Sequence, residues 1–176
     1  PFEGMDDFSS PIYHTGEWPH EGVDFTGKKV AVIGTGSSAI QSIPLIAAQA
    51  GELTVFQRTA TYSVPAWNEA VDPAKAAEVK ANYPDLRAKA RARPTGFYFP
   101  FNMKSAMEAS PEERRAKYEE AWDRGGLPFL GAFGDLLFEK EANDTVAEFA
   151  REKIRGIVKD PATADLLCPD NIFGCK

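Results

Sequence analysis

The sequence predicts an α/β chain: a partial parallel βαβ unit followed by a mostly α-helical segment. Three observations carry this expectation. The apolar run Val30–Ile33 ends on a glycine-rich turn and leads into a helical pattern; a second strand-like run, Leu53–Phe56, follows; and from Pro73 onward helix formers and helix-start signals prevail. A length of 176 residues suits one domain or one and a piece, and 43% hydrophobic residues suffice for a core. The net charge of −6 argues against nucleic acid as a partner. No apolar run approaches the roughly 18 residues that a membrane span needs, and the acidic start Pro1-Phe-Glu-Gly-Met-Asp-Asp7 does not resemble a signal peptide. The chain is therefore expected to be cytoplasmic.

The turn after the first strand reads Gly34-Thr35-Gly36-Ser37-Ser38-Ala39, a G-x-G-x-x-A pattern between a strand and a helix. Gly34 permits the tight turn out of the strand. Gly36 lets a pyrophosphate approach the backbone, and Ala39 is small enough for helix and strand to lie close. The unpaired N–H groups and positive dipole end at Ser37 and Ser38 would hold phosphates. This makes the unit Rossmann-like and dinucleotide-binding. The plain alternative is a βαβ unit whose glycines only make the turn.

The second strand selects the dinucleotide. An NAD site places an acid about 20 residues past the glycines to receive the ribose hydroxyls, whereas Gln57-Arg58-Thr59 contains none. Arg58 can clamp a 2′-phosphate with paired charge-assisted hydrogen bonds, and Thr59 can add a hydroxyl. The reading is NADP(H).

Ahead of this unit, residues 1–27 form an ordered linker rich in Pro, Gly and aromatics. Its segment Phe8-Ser-Ser-Pro-Ile-Tyr-His14-Thr-Gly-Glu-Trp18-Pro19 could pin itself to a domain through Phe8, Tyr13 and Trp18. Taken alone, His14 is open between a hydrogen-bonded structural role and a functional one.

In the helix Ser37–Ala50, Ile40, Ile43, Ile46 and Ala47 face the sheet, and Pro44 removes one hydrogen bond and bends it. The run Val30–Ile33 reads as a strand covered on both faces, which two strands alone would bury poorly. Pro73–Arg93 alternates alanine with charge and predicts a helix. Its cations Lys80, Arg87, Lys89, Arg91 and Arg93 suit a solvated face better than a phosphate site. The aromatic stretch Thr95–Asn102 reads as a staple between helices, with a pocket lining as the alternative. Ser110-Pro111-Glu112-Glu113 has the form of a capping box, opening a helix to about Asp123 that stops at Gly125-Gly126. Glu141–Val158 places Val146, Phe149, Ala150, Lys153, Ile154 and Ile157 on one face, and Asp160-Pro161 starts a short helix to Leu167. Cys168 and Cys175 make neither a disulfide framework nor a metal set, so free thiols are expected and no metal site.

The order Phe-x-Gly-x-x-x-His-x-x-x-Trp-Pro just ahead of a G-x-G-x-x-G/A strand is the fingerprint of Baeyer–Villiger monooxygenases. The chain matches it at Phe8, His14, Trp18 and Pro19, with Ser10 where the family has Gly. His20–Gly27, Gly34–Gln41 and Val55–Thr59 are also similar to this family, particularly its cyclohexanone- and phenylacetone-type members, and the resemblance covers essentially all 176 residues. It implies a flavoprotein that uses NADPH, FAD and O₂ to turn ketones into esters or lactones, with a small-molecule ketone as substrate. It divides the chain into the linker, residues 1–27; the first βαβ of an NADP-binding domain, 28–72; a helical insertion, 73–167; and a return to the nucleotide site, 168–176.

By the same resemblance Lys176 joins Arg58 at the 2′-phosphate, and the arginine that follows in the family acts near the flavin. No residue of the present chain is assigned catalysis. His14 and Trp18 would couple NADP binding to the flavin site. Lacking an initiator Met and a second glycine-rich loop for FAD, the chain reads as the inside of a longer protein. It would be inactive alone and would pack against an FAD domain. The alternatives are another flavin-containing or N-hydroxylating monooxygenase, or a non-enzymatic NADP-binding module.

Overall fold

Alternating apolar residues at positions 29–33 and 52–56 produce two short strands, β1 (Lys29–Ile33) and β2 (Glu52–Phe56), joined by helix α1 (Ser37–Ala47). The computed structural model describes residues 3–93, 96–98 and 102–174. The strands pair in parallel with Val30 opposite Leu53 and Ile33 opposite Phe56. Among the described residues these are the two strands of a single sheet, accompanied by six α-helices. The chain divides into two compact units, 1–61 and 62–176.

In the first unit α1 packs on both strands. Val30, Val32 and Leu53 are half-buried, and Ile46 of α1 and Phe25 of the linker are buried. The opposite face stays open: Ile33 is 74% exposed and Phe56 56%. The expected strand covered on both faces is thus covered on one, because no second layer of this unit lies over Ala31, Ile33, Thr54 and Phe56. Pro44 lies inside α1 as expected, and the helix ends at Ala47 rather than Ala50.

In the second unit the expected helix Pro73–Arg93 is two helices, α2 (Pro73–Ala81) and α3 (Tyr83–Arg91). The break falls at Asn82, held at φ −105°, ψ 11°, close ahead of Pro84, whose ring disfavours helical geometry in the residue before it. Lys80, Arg87, Lys89, Arg91 and Arg93 are exposed, a solvated face. Within the predicted staple, Thr95, Phe99, Pro100 and Phe101 lie outside the described residues, while Phe97 and Tyr98 are exposed and the Lys89 ammonium stands 5.7 Å from the Tyr98 ring.

The core lies further along, between α4 (Pro111–Arg124) and α5 (Lys140–Ile157). The α4 capping box is present: the Glu113 N–H donates to Ser110 Oγ at 3.2 Å, and the Ser110 N–H donates to the Glu113 carboxylate at 3.1 Å. Tyr118 and Trp122 of α4, Phe129 and Phe133 of the intervening turns, Val146 and Phe149 of α5, and Phe173 form one buried cluster. Phe129 lies at its centre, with its ring centroid 5.6–6.4 Å from those of Tyr118, Trp122, Phe149 and Phe173. On α5, Val146, Phe149 and Ala150 are buried as expected, but Ile157 is 69% exposed because it lies in the last turn, past the end of the core. The short helix α6 (Pro161–Leu167) starts where Asp160-Pro161 predicted it.

Candidate functional site: a glycine turn at the carboxyl ends of two parallel strands

Parallel pairing brings the ends of β1 and β2 to one edge, so the Gly34–Ala39 turn and Gln57-Arg58-Thr59 leave the sheet side by side. The Gly34 N–H donates to the Phe56 carbonyl at 2.8 Å, which fixes the turn directly against the exit of β2. Gly34 has φ +98°, a left-handed conformation that a side chain would strain. Gly36 is extended and caps α1, whose first hydrogen bond runs from the Ile40 N–H to the Gly36 carbonyl at 2.9 Å. The N–H groups ahead of Ile40 therefore have no partner within the helix. A Cβ built at Gly36 meets nothing within 4 Å, so the space above the turn is open. Ala39 is half-buried, and Ser37 and Ser38 are exposed.

The electrostatics favour an anion. The first turn of α1 holds no acidic residue. Arg58 is exposed and Thr59 half-buried; among the described residues Arg58 makes no ion pair, leaving its five donors available. An open turn, unpaired helix N–H groups, a nearby arginine and no carboxylate fit the pyrophosphate and 2′-phosphate of a dinucleotide. Lys176 and Cys175 lie outside the described residues, so the expected second cation is not placed.

The linker residues form a separate arrangement. His14 Nδ1 accepts the Gly16 N–H at 3.1 Å and caps the turn Thr15–Glu17. Trp18 lies between Tyr13 and Phe25, with ring centroids 6.0 and 6.1 Å away. Phe25 is buried, and its N–H donates to Gln49 Oε1 at 3.4 Å. Phe8 is exposed, and the Pro19 carbonyl accepts the Gly22 N–H. Trp18 is thereby tied through Phe25 to the loop that precedes β2.

Sequence reading missed two polar knots in the second unit. Asn143 is the buried polar side chain there, 5% exposed. Its Nδ2 donates to the carbonyls of Leu136 (2.7 Å) and Phe173 (2.9 Å), and its Oδ1 accepts the Phe173 N–H at 3.0 Å. Arg151 Nη1 donates to the Tyr62 hydroxyl at 2.7 Å, and that hydroxyl donates to the Pro169 carbonyl at 3.1 Å. Burial pushes the Tyr62 phenol up, and the Arg151 charge opposes it. The one available signal was Asn143 in the apolar face of α5. Among the described residues no cluster of His, Cys, Asp and Glu could hold a metal ion, and no helix is long and apolar enough to cross a membrane.

No family model matches the chain. Compared with known proteins, it has the sequence and fold of a segment of flavin-dependent monooxygenases. Within that class the match is to Baeyer–Villiger monooxygenases. A Baeyer–Villiger monooxygenase of Pseudooceanicola batsensis is 45% identical over 98% of the chain, and phenazine N-monooxygenase PhzNO1 of Lysobacter antibioticus is 41% identical over 97%. The chain spans 32% of each of these relatives. Among solved structures, an oxidized steroid monooxygenase bound to NADP is 55% identical over the whole chain with a TM-score of 0.91. OTEMO in complex with FAD and NADP is 37% identical over 99% of the chain with a TM-score of 0.94; the chain covers 34% of each of these two structures.

Proposed function

We propose that the chain is the NADP(H)-binding segment of an FAD-dependent Baeyer–Villiger monooxygenase that converts ketones to esters or lactones with NADPH and O₂. The observation that carries this reading is the open Gly34–Ala39 turn, hydrogen-bonded to the exit of an acid-free second strand that presents Arg58. On this reading β1-α1-β2 is the start of a Rossmann-like domain and the helical unit an insertion into it. The N–H groups of Gly34–Ala39 take the pyrophosphate; the Arg58 guanidinium, the Thr59 hydroxyl and the Lys176 ammonium take the 2′-phosphate. When bound, NADPH supplies reducing equivalents and FAD the oxygen-activating chemistry. FAD belongs to parts of the protein outside this third, and an FAD domain is the packing partner. His14 and Trp18, one capping a turn and the other stacked on the linker core, act in conformational coupling and not in proton transfer. NADPH supply and a free Cys168 thiol suit a cytoplasmic location.

The test is calorimetric titration of the chain with NADP⁺ and NAD⁺, with Arg58→Ala as control. NADP⁺ should be preferred, and Arg58→Ala should remove about 1.5–3 kcal/mol of that preference, the worth of hydrogen bonds to a charged group. A folded chain that binds neither nucleotide would end this reading. The 41% identity to a phenazine N-monooxygenase favours a second reading for the full protein, oxygen transfer to an aromatic nitrogen. NADPH consumption with a cyclic ketone against that with a phenazine separates the two.

A further inference from the structure

Two chain segments matter for the proposed 2′-phosphate site: the one that leaves Arg58 and the one that leads to Lys176. Inside the helical unit these segments meet. Tyr62, four residues past Arg58, packs its ring 4.9 Å from that of Phe173, three residues before Lys176. The Tyr62 hydroxyl is bound to Pro169 and Arg151. Asn143, buried on α5, grips both the N–H and the carbonyl of Phe173 while anchoring itself on Leu136. The chain then turns at Gly174 with φ +85°, where an added Cβ would come 2.5 Å from Leu137 Cδ2.

A buried amide satisfied on both sides, a buried phenyl ring and a left-handed glycine fix where and in which direction the tail leaves the core. We infer that Asn143 is a positioning residue for 2′-phosphate recognition: it acts through Lys176 by holding Phe173-Gly174, with Tyr62 and Arg151 securing the same knot. This rests on the NADP(H) reading above.

The experiment is titration of the chain and its variants with NADP⁺ and NAD⁺. Asn143→Leu keeps the side-chain volume and removes the grip. It should weaken NADP⁺ binding about tenfold, comparable to one charge-assisted hydrogen bond, while NAD⁺ binding stays within about twofold. In a Lys176→Ala background the same substitution should leave the nucleotide preference unchanged. Equal losses for both nucleotides, an unaltered preference, or an undiminished effect without Lys176 would each overturn the inference.

Should Asn143→Leu not fold by circular dichroism, Tyr62→Phe decides, since it keeps the ring on Phe173 and removes only the hydroxyl bonds. A selective NADP⁺ loss of about two- to threefold, a fraction of one hydrogen bond, supports the inference, and an unchanged preference sinks it. The two readings fail differently. A parent chain without NADP⁺ preference removes the nucleotide reading and this inference together. A preference lost in Arg58→Ala but intact in Asn143→Leu removes the inference alone.

Discussion

The two units hold themselves together by different means. The helical unit has a cluster of interlocking aromatic rings, with Phe129 fully buried and Tyr118, Phe133, Phe149 and Phe173 nearly so. The βαβ unit buries two large apolar side chains, Phe25 and Ile46, and leaves Ile33, Leu45 and Phe56 more than half exposed. Its precision lies elsewhere, in backbone: a parallel ladder, a left-handed glycine and one N–H tying turn to strand. The comparison teaches that the unit with the functional turn is the less buried one. Packing density is a poor guide to where the chemistry sits.

The largest effect that would break this contrast is at the centre of the aromatic cluster. Phe129→Ala should cost about 3–5 kcal/mol, as expected for truncating a buried phenylalanine, and should collapse the helical unit in urea. Phe56→Ala, on the open sheet face, should change the midpoint by less than about 1 kcal/mol. Equal losses would mean that the open face is covered in solution.

Next, Gly36→Ala separates stability from binding. Nothing lies within 4 Å of the added Cβ and the backbone is extended there, so melting should barely move. NADP⁺ affinity should drop at least tenfold, about 1.4 kcal/mol, because the methyl group occupies the pyrophosphate's approach.

A smaller effect sharpens the helical side: Ser110→Ala should cost about 1 kcal/mol by removing the cap of α4, read from the shift in the chemical-denaturation midpoint.

The smallest is electrostatic. Hydrogen bonding to Lys153, then its charge and that of Arg115, holds the Glu119 carboxyl below its usual value. A depressed folded-state pKa contributes stability above the unfolded value, and that stability is lost as pH falls through the folded one. Thermal stability should therefore decline on acidification below about pH 4.5, the ordinary Glu range. Glu119→Gln should flatten part of that decline, by less than about 1 kcal/mol since the group is 38% exposed.

What could be read from sequence was what is encoded over a few neighbouring residues. The apolar runs of β1 and β2, the glycine turn between strand and helix, the capping box at Ser110 and the Asp160-Pro161 start all depend on partners within about four positions, and all appear. The break at Asn82 was equally local. The signal was Pro84, outweighed in the reading by the alanine-rich composition on either side. The polar knots were not legible, because they join residues 30 to 107 positions apart: Asn143 to Phe173, Tyr62 to Pro169. Nothing local distinguishes Asn143 from a residue on a helix surface, and nothing in Tyr62 announces a bond to Arg151. The exposure of Ile157 had the same origin, since periodicity marks a face but not where the core beneath it stops.

The Asn143 grip has a consequence for how this tail can change. The amide reads peptide atoms, as a neighbouring strand would, and is indifferent to the side chain borne by the peptide it holds. Around it, the identities of residues such as Asp170 and Ile172, both open to solvent or partly so, can drift while the path of the chain stays put. The anchor is a coordinate and not a motif: two relatives could diverge through this stretch beyond recognition by alignment and still deliver the next residues along the same line.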